Sequence, residues 1–351
     1  MIMIMSNPSH TRPILGITMG DPGGIGPEIA CKALNDPEVY KVCRPLVVGD
    51  AAIMDNALKF CGLTNLKINA VHNPTLGKYE HGVIDVYDLA NLPLIELKHK
   101  TVTAAQGKAS YEYVAKAIEL AMRKDIDGTV TGPINKAAIN SAGFHYAGHT
   151  EIYADHTKTK DYTMMLADEN FRVAHVTTHV SLREACERVK KARVLRVIEL
   201  CQDGLMHMGI EHPRIAVAGL NPHCGEEGLF GHEDDQEIAP AVAEAKAKGI
   251  DVEGPIPADT VFSKMKGGMY DVVVVQYHDQ GHIPMKLQGF RYDEKTKTWG
   301  AMTGVNITLG LPIIRTSVDH GTAFGKAGEG RANPQSLLDA IYLAAKLAGY
   351  R

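Results

Sequence analysis

Short apolar runs alternate with longer stretches in which apolar residues recur every three or four positions, almost throughout the chain. Residues 14–19, 46–49, 128–131, 173–178, 215–219 and 272–276 predict buried strands. Between them, 111–123, 189–205 and 237–248 carry the spacing of helices packed on a sheet. A last helix, 334–348, aligns Leu337, Leu338, Ile341, Ala344 and Leu347 on one face, where core packing accounts for all of them. This alternation predicts a layered α/β protein.

At 351 residues the chain exceeds the usual size of a single core, so two domains are expected. The turn Thr131-Gly132-Pro133 and the charged segment 291–303, a polar excursion carrying Trp299, mark the natural boundaries. That segment reads as a solvated loop, with a lid or dimer arm as its functional alternative. Composition is that of a soluble globular protein, 45% hydrophobic and 22% charged. The balance of 37 basic and 41 acidic side chains, net −4, offers no general pull toward nucleic acid or anionic lipid. Residues 1–10 lack the charged and apolar regions of a secretory signal, and no run reaches the length of a membrane span, so a cytoplasmic location is expected. Six scattered cysteines without a C-x-x-C pair suit reduced thiols.

Three histidines follow predicted strands: His179, His223 after Asn221-Pro222, and His278 after Tyr277. Residues past the carboxyl ends of strands in an open α/β sheet share one rim, so the three can converge. Three neutral imidazoles leave positions open on a divalent ion for water or substrate, as a catalytic metal requires. Cys224 is the poorer ligand, because adjacent turn residues rarely reach one ion together.

Further candidates cluster in five motifs. TMGDPGGIGPEIACKAL, from Thr18, is a strand-to-helix turn that matches neither a dinucleotide fingerprint nor a P-loop. In AGHTEIYADHT, His149 and Thr150 can hold an oxyanion, although an N-cap explains half the pattern. Around His223, the acidic residues Glu233, Asp234 and Asp235 read as charge at a helix N-terminus, and Asp259 in a later loop is a candidate for proton transfer. In QYHDQGHIPMKLQGF, Lys286 can neutralise an anionic substrate and act as acid or base, while His282 reads as loop filler, with a place behind the metal ligands as its functional alternative. Asn306 and Arg315 flank a strand-like stretch, and Arg315 can fork onto a carboxylate or phosphate. His320 to Ala323 then open a loop that ends at Asn333-Pro334.

Taken in order, these motifs resemble the 4-hydroxythreonine-4-phosphate dehydrogenase family of vitamin B6 synthesis, from about Ile14 onward. DHGTAFGKAGEGRANP is also similar to the adenosine-binding loop of isocitrate and isopropylmalate dehydrogenases. The resemblance implies two α/β/α layered domains with a cleft between them, 10–135 plus 304–351 and 136–303. It implies a divalent metal of the zinc, magnesium or cobalt class on His179, His223 and His278, shared across a homodimer. Substrate contacts would come from His149, Thr150, Lys286, Asn306 and Arg315, and NAD would be held by His320, Gly321, Thr322, Ala323 and Asn333. Asp21 and the GHIPMK form look more like a sister group acting on 4-phospho-D-threonate or 4-phospho-D-erythronate.

The expected activity is therefore NAD- and metal-dependent oxidation and decarboxylation of a 4-phosphorylated four-carbon hydroxy acid, with Lys286 or Asp259 moving protons. The form expected is the 4-hydroxythreonine-4-phosphate type of pyridoxal phosphate synthesis, and the alternative is the sister-group reaction yielding dihydroxyacetone phosphate. A three-histidine metallohydrolase would explain the histidines but not the 320–333 loop. A non-catalytic sensor would not need all three metal positions.

Overall fold

The computed structural model describes residues 12–289, 292–294, 298–299 and 304–349. The N-terminal signal question, on residues 1–10, lies outside them, as does most of the 291–303 excursion. Within that excursion Tyr292–Asp293 and Thr298–Trp299 pair as a short antiparallel ladder. No helix among the described residues is long and apolar enough to cross a membrane.

Contacts divide the chain into a unit of 1–146 with 320–351 and a unit of 147–319. The first contains β1 (Ile14–Thr18), β2 (Arg44–Gly49), β3 (Lys67–Val71), β4 (Val83–Asp88) and β5 (Gly128–Thr131), all parallel in the order β3-β4-β2-β1-β5. Helices Gly26–Ala33, Pro37–Val42, Ala51–Phe60 and Gln335–Gly349 pack together as one layer, and Ala104–Met122 packs with Lys136–Ser141 as another. β1, β2 and β5 have the solid burial expected of parallel strands. β3 and β4 escape the hydrophobic pattern. β3 is largely exposed at the sheet edge, and β4 carries the buried Asp85, whose carboxylate accepts the Lys78 and Tyr79 N–H groups and Asn69 Nδ2.

The second unit contains β6 (Thr163–Asp168), β7 (Phe171–His175), β8 (Ile215–Ala218), β9 (Val252–Ile256) and β10 (Val272–Val275). After the short ladder, β11 (Tyr292–Asp293) and β12 (Thr298–Trp299), come β13 (Val305–Leu309) and β14 (Arg315–Val318). The order β14-β13-β6-β7-β10-β8-β9 is antiparallel from β14 to β7 and parallel from there to β9. Because β13 pairs with β6, residues 304–319 group with this unit, whereas the sequence division at 304 joins them to the cofactor loop. Helices Lys191–His207 and Ala239–Ala247 form one layer, and Ala258–Lys266 and His278–Gly289 contact the sheet separately from it. Met285 from His278–Gly289 enters a core with Val173, Ala216, Val273 and Val275. Burying Met285 stabilises that helix by roughly 2 kcal/mol and fixes the facing of the polar residues around it.

Candidate active site

β7 ends at His175, not at residue 178, so His179 lies four residues past the strand, exposed in a loop. His278 begins helix His278–Gly289, which runs through Pro284, so the segment around His282 is helical and not loop. His278, His282 and Lys286 therefore share one stripe at spacings of four, beside a buried stripe of Gly281, Met285 and Gly289. The rings of His179 and His278 come together, with centroids 5.7 Å apart. His278 Nδ1 is 2.7 Å from Asp279 Oδ1, which leaves Nε2 as the outward nitrogen, the presentation common to metal-ligating imidazoles. By donor chemistry the pair fits a divalent ion.

His223 does not join them within one chain. Its ring lies 6.4 Å from that of Phe230, and no group of three or more His, Cys, Asp or Glu side chains among the described residues is arranged to hold a metal. Residues 223–228 all have positive φ, 51° at His223 and 56° at Cys224, a left-handed turn that costs on the order of 1–2 kcal/mol per non-glycine residue. Asp234 offsets part of that cost. Fully buried, it accepts the N–H groups of Leu220 and Asn221 at 2.9 and 3.0 Å, a loop-pinning role added to the expected place of Asp234 and Asp235 in the first turn of a helix. Burial, with Asp234, Asp259 and Asp235 nearby, pushes the Cys224 thiol up to about 11, so it stays protonated. Asp259 itself is exposed in the first turn of Ala258–Lys266.

The substrate candidates converge around β13 and β14. In their antiparallel register Asn306 faces Ser317 and Ile307 faces Thr316, so Asn306, Thr308, Arg315 and Ser317 share one face of the ribbon. Arg315, 3% exposed, donates from Nη1 to Thr308 Oγ1 at 2.8 Å and to Thr150 Oγ1 at 3.4 Å, and its guanidinium lies 5.5 Å from the centre of the Tyr153 ring. Burial lowers its pKa to about 10, which leaves it cationic at neutral pH. Thr150 and His149 open helix His149–His156, whose N-terminus favours anions. Asn306 Oδ1 is buried with no hydrogen-bond partner among the described residues. Lys286 meets a partner the sequence did not suggest: its Nζ is 2.5 Å from Asp319 Oδ2.

In the first unit, residues 320–333 form a loop tied to the glycine turn. Ile25 N–H donates to Thr322 O at 3.0 Å, and a Cβ on Gly24 would come within 2.9 Å of Thr322 Cβ, so only glycine permits this approach. The fully buried Glu28 accepts the Ala332 N–H at 2.5 Å and Lys32 Nζ at 3.0 Å, while Lys32 also donates to Gly330 O and Ala332 O, each at 2.8 Å. Asn333 Oδ1 accepts the Gln335 N–H at 2.9 Å, opening the last helix. Gly321 and Gly325 face open space, since a Cβ at either would meet nothing within 4 Å. The expected turn at Asp21 is present, with Oδ1 accepting the Gly23 N–H at 2.8 Å. All six cysteines carry free thiols.

The residues missed by sequence reasoning are His175, Asp279, Asp319 and Lys32. Spacing of four from His278 was the available signal for His282, and adjacency to His278 that for Asp279; the others act through contacts between distant segments.

The family model described as pyridoxal phosphate biosynthetic protein PdxA matches residues 41–344. A Symbiobacterium thermophilum protein named "Putative D-threonate 4-phosphate dehydrogenase" is 47% identical over 338 residues, 96% of this chain and 97% of that one. Solved structures of 4-hydroxythreonine-4-phosphate dehydrogenases from Burkholderia phymatum and Klebsiella pneumoniae are 42% and 41% identical, with TM-scores of 0.82 and 0.83. Each covers 96% of this chain and 99% of its own. The chain belongs to the PdxA family, and it is a dehydrogenase acting on a CH-OH group.

Proposed function

We propose that the protein oxidises the C3 hydroxyl of a 4-phosphorylated four-carbon acid with NAD and a divalent metal, releasing the adjacent carboxylate as CO2, and that D-threonate 4-phosphate is its substrate. The observation that carries the anionic substrate is the buried, cationic Arg315 between the Thr150 and Thr308 hydroxyls. The choice among acids follows the relatives named for D-threonate 4-phosphate, at 46–47% identity. The amino-acid substrate, 4-hydroxythreonine 4-phosphate, is the second reading, supported by the names of the 41–42% identical structures.

When bound, NAD would supply the hydride acceptor and the metal a Lewis acid beside the reacting oxygen. The open backbone at Gly321 and Gly325, with His320, Thr322, Ala323 and Asn333, suits NAD. His179 and His278 suit the metal together with His223, which is apart from them in a single chain. A homodimer sharing that site accounts for the separation. Exposed apolar residues beside the metal candidates, Leu229 and Phe230 after His223 and Ile283 and Leu287 after His278, support a second copy covering this surface.

Arg315 and Thr150 bind the phosphate as fixed donors. Oxidation removes a hydride from C3 and releases the proton of its hydroxyl to solvent; the β-keto acid then loses CO2, leaving the bonding pair on C2. Lys286 holds its protons against Asp319 on the same helical stripe as His278, and returns one to C2. Asp259, exposed on another helix, is the weaker candidate for this transfer.

The test is NADH absorbance with 4-phospho-D-threonate, 4-phospho-D-erythronate and 4-hydroxy-L-threonine 4-phosphate, with and without a chelator. Chelator-sensitive NADH production fastest on the first supports the proposal. A rate confined to the third selects the second reading, and hydrolysis without NADH selects a metallohydrolase.

A further inference from the structure

His282 lies flat on His278, with centroids 3.6 Å apart and planes within 8°. Its Nδ1 donates to the His278 carbonyl at 2.9 Å, so the ring is anchored to the residue it covers. Below the pair is His175, the last residue of β7 and fully buried, whose Nδ1 donates to Met164 O at 3.2 Å. Its centroid is 4.9 Å from that of His282. Residue 281 must be glycine for this seat, because a Cβ there would stand 2.6 Å from His175 Nε2 and 2.9 Å from Val275 Cγ2. The first turn of the helix thus rests directly on a buried imidazole.

His282 is badly placed to share an ion with His278 in this arrangement. A ligating lone pair lies in its ring plane, and near-parallel planes 3.6 Å apart do not meet within the ~2.0–2.1 Å of a metal–imidazole bond. What stacking does provide is restraint. The His278 side chain is 37% exposed in the first turn of a helix, with Asp279 at one nitrogen; a flat neighbour closes one face of the ring and limits its rotation.

We propose that His282 is a positioning residue which, stacked on His278 and seated over His175 and Gly281, fixes the His278 ring in the orientation that meets a divalent ion. This rests on the reading of His278 as a metal ligand. Outer partners of this kind are worth about 10–100-fold in metal affinity.

The experiment uses the full chain, stripped of metal, titrated with Zn2+ by calorimetry and with Co2+ by visible absorption. His282→Ala should bind both ions about 10–100-fold more weakly, and His282→Phe, which keeps a flat ring over His278, should recover most of the affinity with the wild-type Co2+ spectrum. Circular dichroism melts check that both variants fold. An Ala variant with wild-type affinity overturns the inference. So does a Phe variant as weak as Ala whose spectrum has lost a nitrogen ligand, since His282 would then bind the ion itself. A wild-type chain that binds neither ion overturns the metal reading and this inference with it, which separates the two failures.

Discussion

Lys286 on helix His278–Gly289 and Asp319, just past β14, form an ion pair at 2.5 Å, with Asp319 only 12% exposed on its side chain. The pair ties the helix bearing the metal candidate to the ribbon bearing Asn306 and Arg315, both within one unit. It also directs Nζ, since an unpaired lysine would sample many rotamers.

If Lys286 carries the proton, Lys286→Met should lower kcat by about 100-fold or more, the usual scale of acid–base catalysis, with little change in the KM for NAD. Asp319→Asn should lower kcat less, because it disturbs direction without removing the donor. Steady-state kinetics on both variants check this, and an unchanged kcat for Lys286→Met would reject the role.

The phosphate assignment predicts that Thr150→Ala raises the KM for phosphorylated substrate by about 10-fold, from a lost hydrogen bond to a charged group worth ~1.5 kcal/mol. kcat at saturation should stay within about threefold. The same KM for wild type and variant would remove Thr150 from the anion site.

Lys32 bridges the glycine-turn helix to Gly330 and Ala332 by two bonds of 2.8 Å each, and is held by Glu28 of its own helix at 3.0 Å. Lys32→Met should loosen the end of the proposed cofactor loop and raise the KM for NAD by about 10-fold, leaving the substrate KM unchanged. Hydrogen exchange should rise at residues 328–333. Loss of both KM values together would mean general unfolding instead.

Asp21 is fully buried, and desolvation, partly countered by the Gly23 N–H, raises its carboxyl pKa from 3.8 to about 6. A raised acid pKa favours folding in the protonated form, so this contribution is fully present below pH 3.8 and lost as pH rises through 6. The full change is about 3 kcal/mol at ~1.4 kcal/mol per pKa unit. Asp21→Asn, which does not titrate, should gain stability relative to wild type between pH 4 and pH 8. Urea unfolding at both pH values measures it, and a pH-independent difference would refute it.

Much of this protein was legible in its residues. Apolar runs located β1, β5, β8 and β10 to within a residue or two, because a strand buried on both faces must be apolar at successive positions. The motifs carried the family resemblance, and with it the dehydrogenase activity. β3, β4 and β9 were not visible, since an exposed edge or a buried carboxylate breaks the pattern from which strands are read.

What the tertiary structure alone decided was company. Pairing with β6 assigned residues 304–319 to the second unit, and packing of Met285 turned His278, His282 and Lys286 onto one stripe. The partners Asp319 for Lys286, Glu28 for Ala332 and Thr308 for Arg315 follow from chain crossings and register, which depend on the whole core and not on local spacing. Residue type prescribes what a side chain can do; long-range packing selects the neighbour with which it does it.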